Sequence, residues 1–306
     1  MHVPCFAFLA RLTALTPLTA LPLIAASASV LGGCVSFQSA NFKSSSSATL
    51  THVAGMPVSV ATENGRIVVE AAQRADVQSV QISAEVRATT QERADTTEIV
   101  AERDTDGRLR VSVAWPDGQR ISGEGCSITI LLPDASGLDL RTSNGSVTIR
   151  GCAGQATVVT SNGPIEVTDH AGVAKLKTSN GAVTVTNLSG ALNVDTANSR
   201  IVGTGLGGPV DVHTSNGPVS ITLADSSVGP ADIRTSNGSV KFCPGGTFTG
   251  DLSISTSNGS ITLPSEGGAM RVIEKNKTSA KVSFRMGPIA QPESVIRTSN
   301  GAVTVE

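Results

Sequence analysis

The chain has 306 residues, with 31 glycines, no tyrosine and a formal net charge of −2. That balance, 23 basic against 25 acidic side chains, argues against an electrostatic nucleic-acid binder, and 3% aromatics leaves few stacking platforms for single strands or sugars. With 39% apolar residues the chain is not a disordered one, and its core must be built from Val, Ile, Leu, Ala and Thr.

Residues 1–33 carry one base, Arg11, and no acid, and an apolar small-residue run leads to Leu31-Gly32-Gly33-Cys34. This is the layout of a secretory signal, and its last four residues resemble the bacterial lipobox. The resemblance implies acylation of Cys34 and anchoring by two or three chains, at ~0.8 kcal/mol per buried methylene. Simple secretion with cleavage after Ala26-Ser27-Ala28 is the alternative. Residues 34–49, rich in serine from Ser36 to Ser47, read as a flexible tether.

Residues 50–133 are denser in charge and read as irregular N-terminal coils that also cap one end of the regular repeat. Strand patterns fall at 77–86, 109–113 and 126–132. The polar stretch 90–103 reads as an irregular or hairpin excursion, with a short helix as the alternative.

From residue 134 a repeat governs the chain. Thr-Ser-Asn-Gly begins at Thr142, Thr160, Thr178, Thr214, Thr235, Thr256 and Thr298, with the variant Thr-Ala-Asn-Ser at Thr196. The asparagines are Asn144, Asn162, Asn180, Asn198, Asn216, Asn237, Asn258 and Asn300. Their spacings are 18, 18, 18, 18, 21, 21 and 42 residues, and the last predicts a worn copy at Ser279. A fixed period near 20 marks a solenoid. Three residues after each corner stands Val or Ile, and the alternation of apolar and polar positions is that of strands with one face buried. The expected fold is therefore all-β: a single-domain β-solenoid of about nine coils of 18–21 residues. A right-handed coil is expected; 18 is also three hexapeptides, but the Ser-Asn-Gly corner breaks a hexapeptide pattern. Asn-Gly is expected to supply left-handed backbone at a tight corner, stacked Asn amides to form a ladder, and the Thr column to face inward. A flat Thr array that orders water, as in ice-binding solenoids, is the weaker reading of that column.

Three segments together, Asn64-Gly65-Arg66-Ile67-Val68-Val69, Ile128-Thr129-Ile130-Leu131-Leu132-Pro133 and Leu138-Asp139-Leu140-Arg141-Thr142-Ser143-Asn144-Gly145 with its copies, resemble the bacterial putative-adhesin family, domain of unknown function 4097, or toastrack domain. The resemblance covers roughly residues 50–306. It implies a β-helix displayed on or outside the cell envelope, and it brings no catalytic residues with it.

Other motifs weigh less. Gly203-Thr204-Gly205-Leu206-Gly207-Gly208 fits a dinucleotide fingerprint in letters, but Pro209 and a strand pattern come next, where a helix is needed. His170 and His213 lie in different columns with no third metal ligand in view. Asp211 and Asp232 share a column, with Asp139 further off, which is thin support for a polysaccharide-active enzyme. Cys126 and Cys152 stand on neighbouring early coils, where a bridge is one option; Cys243 is out of reach of both. No cofactor, metal or nucleic acid is expected. The reading is a non-catalytic lipoprotein scaffold or adhesin, extracytoplasmic and lipid-anchored at the outer membrane or cell surface, that meets an envelope protein or polysaccharide. An envelope-sensing lipoprotein that docks a partner through its solenoid end is the alternative, and an enzyme comes third. The chain stops at Glu306, just past Val305, so the final strand is expected to form an open edge suited to end-to-end self-association.

Overall fold

Alternation of β-branched residues with polar ones sets every regular coil. In the Asn180 coil the strand Ala174–Lys177 runs into the corner, Val183–Leu188 leaves it, and a second turn leads to Leu192–Thr196. The computed structural model describes residues 10–11, 40–72, 77–264, 270–284 and 292–306. First strands stack into a fourteen-stranded sheet and second strands into a twelve-stranded sheet. The chain is a β-solenoid whose core lies between the two sheets. Repeats of one length put like residues in register: Val183 lies between Ile165 and Ile201, and Leu176 between Val158 and Val194. These side chains are at most 2% exposed and belong to one continuous apolar cluster. Fixed parallel register is what a buried face enforces, because a one-residue slip would turn the whole apolar set to water.

The order of coils in space departs from their order in the chain at both ends. The coil of Asn64, with strands Val58–Ala61 and Ile67–Ala71, lies between the strands Leu109–Ala114 and Gly125–Leu132 on one side and the Asn144 coil on the other. At the far end, Ser294–Thr298 pairs with both Ala231–Thr235 and Gly250–Thr256. Val303–Val305 likewise lies between Val240–Cys243 and Ile261–Thr262. The final strand is therefore an interior one, which overturns the expected open edge at Glu306. Nine corners stack in the order Asn64, Asn144, Asn162, Asn180, Asn198, Asn216, Asn237, Asn300 and Asn258.

The copy expected at Ser279 is not a coil. Ser279–Phe284 runs antiparallel to Gly250–Thr256 and to Met270–Lys275, so Val282 faces Leu252 and Val272 instead of joining the corner-following column. The cause is local. Ser279-Ala280 replaces Asn-Gly, and the Asn276 carboxamide oxygen accepts from the Thr278 and Ser279 amides at 2.9 and 2.7 Å, closing a hairpin turn.

Two further expectations are corrected at the other end. Part of the supposed tether, Phe42–Thr51, is a ten-residue strand paired antiparallel with Ser79–Ala88. Its serines alternate on two half-exposed faces, so no apolar period betrays it. The excursion at 90–103 contains a helix, Gln91–Thr96, capped by the Thr90 hydroxyl accepting from the Arg93 amide, and then the strand Glu98–Arg103. Ala10–Arg11 pairs with that strand. Cys34 and the rest of residues 1–39 lie outside the described residues. No helix among the described residues is long and apolar enough to cross a membrane.

Candidate binding surface

Each corner presents its asparagine outward. Asn64 donates to the Glu124 carbonyl at 2.9 Å, Asn162 to the Asn144 carboxamide oxygen at 2.6 Å, Asn180 to Asn162 at 2.8 Å and Asn198 to Asn180 at 2.9 Å. Asn144 donates to Asn64 in the same way, and the run continues through Asn216, Asn237, Asn300 and Asn258. Every amide in this one-directional chain polarises the next. The ladder thus engages its own amides with one another.

Beneath it the threonines are buried, at 3–7% exposure from Thr142 to Thr298. Thr160 Oγ1 donates to the Gly145 carbonyl at 3.3 Å and accepts from the Gly163 amide at 3.2 Å. The glycine is required for closeness. A Cβ on Gly163 would stand 1.7 Å from the Gly145 carbonyl oxygen. No corner glycine or asparagine has a left-handed φ, which corrects that expectation; the left-handed column lies instead at the second turn, in Gly151, Asp169, Asn187 and Gly205.

The remaining candidates disperse. Cys126 and Cys152 are buried free thiols, pushed by burial up to about 12 and about 11, and are poor nucleophiles. Cys243 is also free. His170 is buried with Nε2 2.9 Å from the Gly154 carbonyl, and burial lowers its pKa. His213 is on the outer face of the other strand set, 3.5 Å from Asp211. Asp211 and Asp232 do lie side by side in register, but each faces a base, Asp232 pairing with Arg234. Gly203 and Gly205 fall in the strand Ile201–Leu206, with the strand Val210–Thr214 next. Among the described residues no group of three or more His, Cys, Asp or Glu could hold a metal ion.

Sequence reasoning missed one charged cluster. Glu124 is fully buried and accepts from Arg93 Nε and Nη2, from the Thr89 amide and hydroxyl, and from the Ile121 amide. Burial alone would raise its pKa, but these donors outweigh it and hold the carboxyl down at about 2. The cluster pins the helix to the capping strands. No spacing rule announces it, because Arg93 and Glu124 belong to separate elements.

The outer faces of the two sheets differ. On the fourteen-stranded sheet the charges answer one another: Arg141 with Asp139 at 3.0 Å, Lys177 with Asp195 at 3.4 Å, Arg234 with Asp232 at 2.5 Å. On the twelve-stranded sheet hydroxyls dominate. Register aligns Ser47, Ser83 and Thr129, and the column continues through Val68, Thr148, Glu166 and Thr184. One step nearer the corners run Ser45, Glu85 and Ser127, and the Arg66 amide meets the Ser127 hydroxyl at 3.3 Å. Between them lie two adjoining concavities of about 480 and 520 Å3, and Arg66 lines both. They cross seven neighbouring strands, or roughly 29 Å at strand spacing.

No protein-family model matches the chain, and no curated protein does. Solved structures show a likeness at low identity. A putative adhesin from Bacteroides fragilis NCTC 9343 is 12% identical with a TM-score of 0.45, over 87% of this chain and 98% of the other. A putative lipid binding protein from Parabacteroides distasonis ATCC 8503 is 12% identical at 0.43, over 87% and 98%. A putative adhesin from Parabacteroides merdae ATCC 43184 is 12% identical at 0.31, over 88% and 98%. At those values the likeness carries no argument about function.

Proposed function

We propose that the chain is a non-catalytic, envelope-displayed β-solenoid, a scaffold or adhesin that binds an extended partner along the outer face of its twelve-stranded sheet. One observation carries the reading. On this face two in-register columns present mostly hydroxyls to solvent, with Glu85 and Glu166 as their paired charges, whereas on the opposite face basic and acidic columns pair with each other. Exposed hydroxyls can exchange water for a ligand at lower cost than charges that must first leave an ion pair. Lipidation at Cys34 fits this display. Only eight peptide steps separate Cys34 from Phe42, so an anchor there would hold the capped end within about 28 Å of the lipid. The coils would then extend away from the membrane. Docking through the final strand is not part of the proposal, since that strand is paired on both sides.

The test is recovery of solubilised envelope components on the immobilised protein. Thr148→Lys with Thr184→Lys should reduce recovery, and Lys175→Thr with Lys177→Thr on the other sheet should not. Equal recovery by both variants would refute the assignment of the face.

A further inference from the structure

Taking that face as the binding surface, we infer that its trough receives a carboxylate-bearing polysaccharide segment, with the Arg66 guanidinium as its charged anchor. Three observations on the trough converge. Its walls are serine, threonine, alanine, valine, proline and isoleucine with a few charges, and among the described residues no aromatic ring lines it. Neutral sugars are held largely by stacking on rings, so a ring-free trough must rely on hydrogen bonds and charge. Second, the acids of the trough are already engaged. Glu85 is 3.0 Å from Lys43, which lowers its pKa, and Glu166 is 3.6 Å from Arg150. Arg66 is the cation left over: it is exposed and, although its field reaches Glu85, it has no ion-pair partner at contact distance among the described residues. Third, Arg66 stands at the junction of the two concavities, with hydroxyl rows on both sides.

A guanidinium presents paired donors that match a carboxylate edge-on, whereas an isolated hydroxyl row discriminates poorly among polar partners. The arrangement therefore suits a polymer that alternates ring hydroxyls with a carboxylate. An acidic peptide would also offer carboxylates, but a peptide pairs with a sheet mainly through free backbone groups at an edge, whereas hydroxyl rows can exchange hydrogen bonds with ring hydroxyls. The trough lies on a sheet face, where backbone amides are used up in strand pairing.

The experiment is equilibrium titration of the purified protein with polygalacturonate oligomers and, as the neutral control, dextran. Polygalacturonate should bind and dextran should not. Arg66→Gln should weaken polygalacturonate binding at least about tenfold, the effect of losing one charge-assisted contact, while Arg297→Gln on the other sheet should leave it unchanged. The thermal transition of Arg66→Gln should match the parent, because among the described residues no side-chain hydrogen bond or ion pair of Arg66 holds the fold. Absence of polygalacturonate binding, equal binding by Arg66→Gln, or equal loss in Arg297→Gln would overturn the inference. An acidic peptide that binds through Arg66 as tightly as polygalacturonate would overturn it too. Recovery of envelope components separates this from the broader reading. If the Thr148 and Thr184 variant loses recovery but polygalacturonate does not bind, the ligand class is wrong and the face stands. If recovery is indifferent to that variant, the face itself falls.

Discussion

Ser199 sits where every other repeat corner has glycine, and replacing it should make the protein more stable. At six corners the threonine hydroxyl both accepts from its own glycine amide and donates to the glycine carbonyl of the preceding coil, as Thr178 does with Gly181 at 3.1 Å and Gly163 at 3.4 Å. The two exceptions flank Ser199. Thr196 reaches only the Ser179 carbonyl at 3.5 Å, and the buried Thr214 hydroxyl has no partner. The cause is steric. A Cβ at a corner glycine of the regular stack would lie 1.7 Å from the carbonyl oxygen of the coil before, and Ser199 carries that Cβ, so its corner cannot take the regular close approach to Gly181 on which the neighbouring hydroxyl relays depend. Ser199→Gly should restore them. Two recovered neutral hydrogen bonds contribute about 1 kcal/mol each, and relief of an unsatisfied buried hydroxyl adds a similar amount. Glycine's extra unfolded-state entropy takes back roughly 0.5–1 kcal/mol. The net expectation is about 2–2.5 kcal/mol, or roughly 4–10 °C in Tm for a domain of this size. Calorimetry of the variant beside the parent measures it, and Gly181→Ser should move Tm downward by a comparable or larger amount. An unchanged or lower Tm in Ser199→Gly would refute the steric account of the corner.

Asn180→Ala removes one donor and one acceptor from the exposed ladder and should cost about 1–2 kcal/mol in chemical denaturation; a change under about 0.5 kcal/mol, the range of ordinary surface substitutions, would make the ladder ornamental. Glu124→Gln should cost about 2–3 kcal/mol, the scale of a charge-assisted bond. Because the Glu124 carboxyl titrates at about 2 when folded and at its ordinary 4.5 when unfolded, its stabilisation is present above pH 4.5 and fades as pH falls towards 2. Denaturant titrations across that window should therefore converge for Glu124→Gln and the parent at the acid end. Thr304→Pro should cost on the order of 3 kcal/mol, because proline here interrupts a strand bonded on both sides; a neutral result in thermal unfolding would mean that the strand is an edge.

The coil was legible because its determinants are local and repeated: a β-branched residue three after each Asn, an inward Thr two before, and Gly one after. What the spacing could not show was spatial order. Asn300 follows Asn258 in the chain but precedes it in the stack, since parallel strands of equal pattern can pair with either neighbour and sequence period says nothing about which. The role of the corner glycine was hidden for a related reason. Asn-Gly signals left-handed backbone in an isolated turn, but here the nearest atom is the carbonyl of another coil, a contact no single turn contains. The trough on the twelve-stranded sheet was hidden too, because Ser45, Glu85, Ser127 and Arg66 come from four segments scattered between residues 42 and 132. In the sequence Arg66 belongs to a repeat-like corner motif, and only the pairing of strands sets it beside the serines.

The threading of the ends bears on why the stack stops. A regular coil presents the next coil's template, with a carbonyl row, an Asn amide and a Gly corner, so a stack of like coils invites further coils or other molecules. Here antiparallel strands succeed the coils outward on both sheets at one end and on the fourteen-stranded sheet at the other, where the twelve-stranded sheet ends on the two-residue parallel strand Ile261–Thr262. Ser79–Ala88 and Phe42–Thr51 close the twelve-stranded sheet at one end, and Ser279–Phe284 and Met270–Lys275 close the fourteen-stranded sheet at the other. An antiparallel strand has the wrong direction and no Asn-Gly corner, so it cannot register another coil. Placing Asn64 and Asn300 inside the stack is what frees the segments next to them in the chain to lie outside it. The worn repeat at Ser279 is then explained: with Lys275 in place of a core aliphatic and Lys277 in place of Thr, it cannot extend the solenoid, and instead ends one of its sheets.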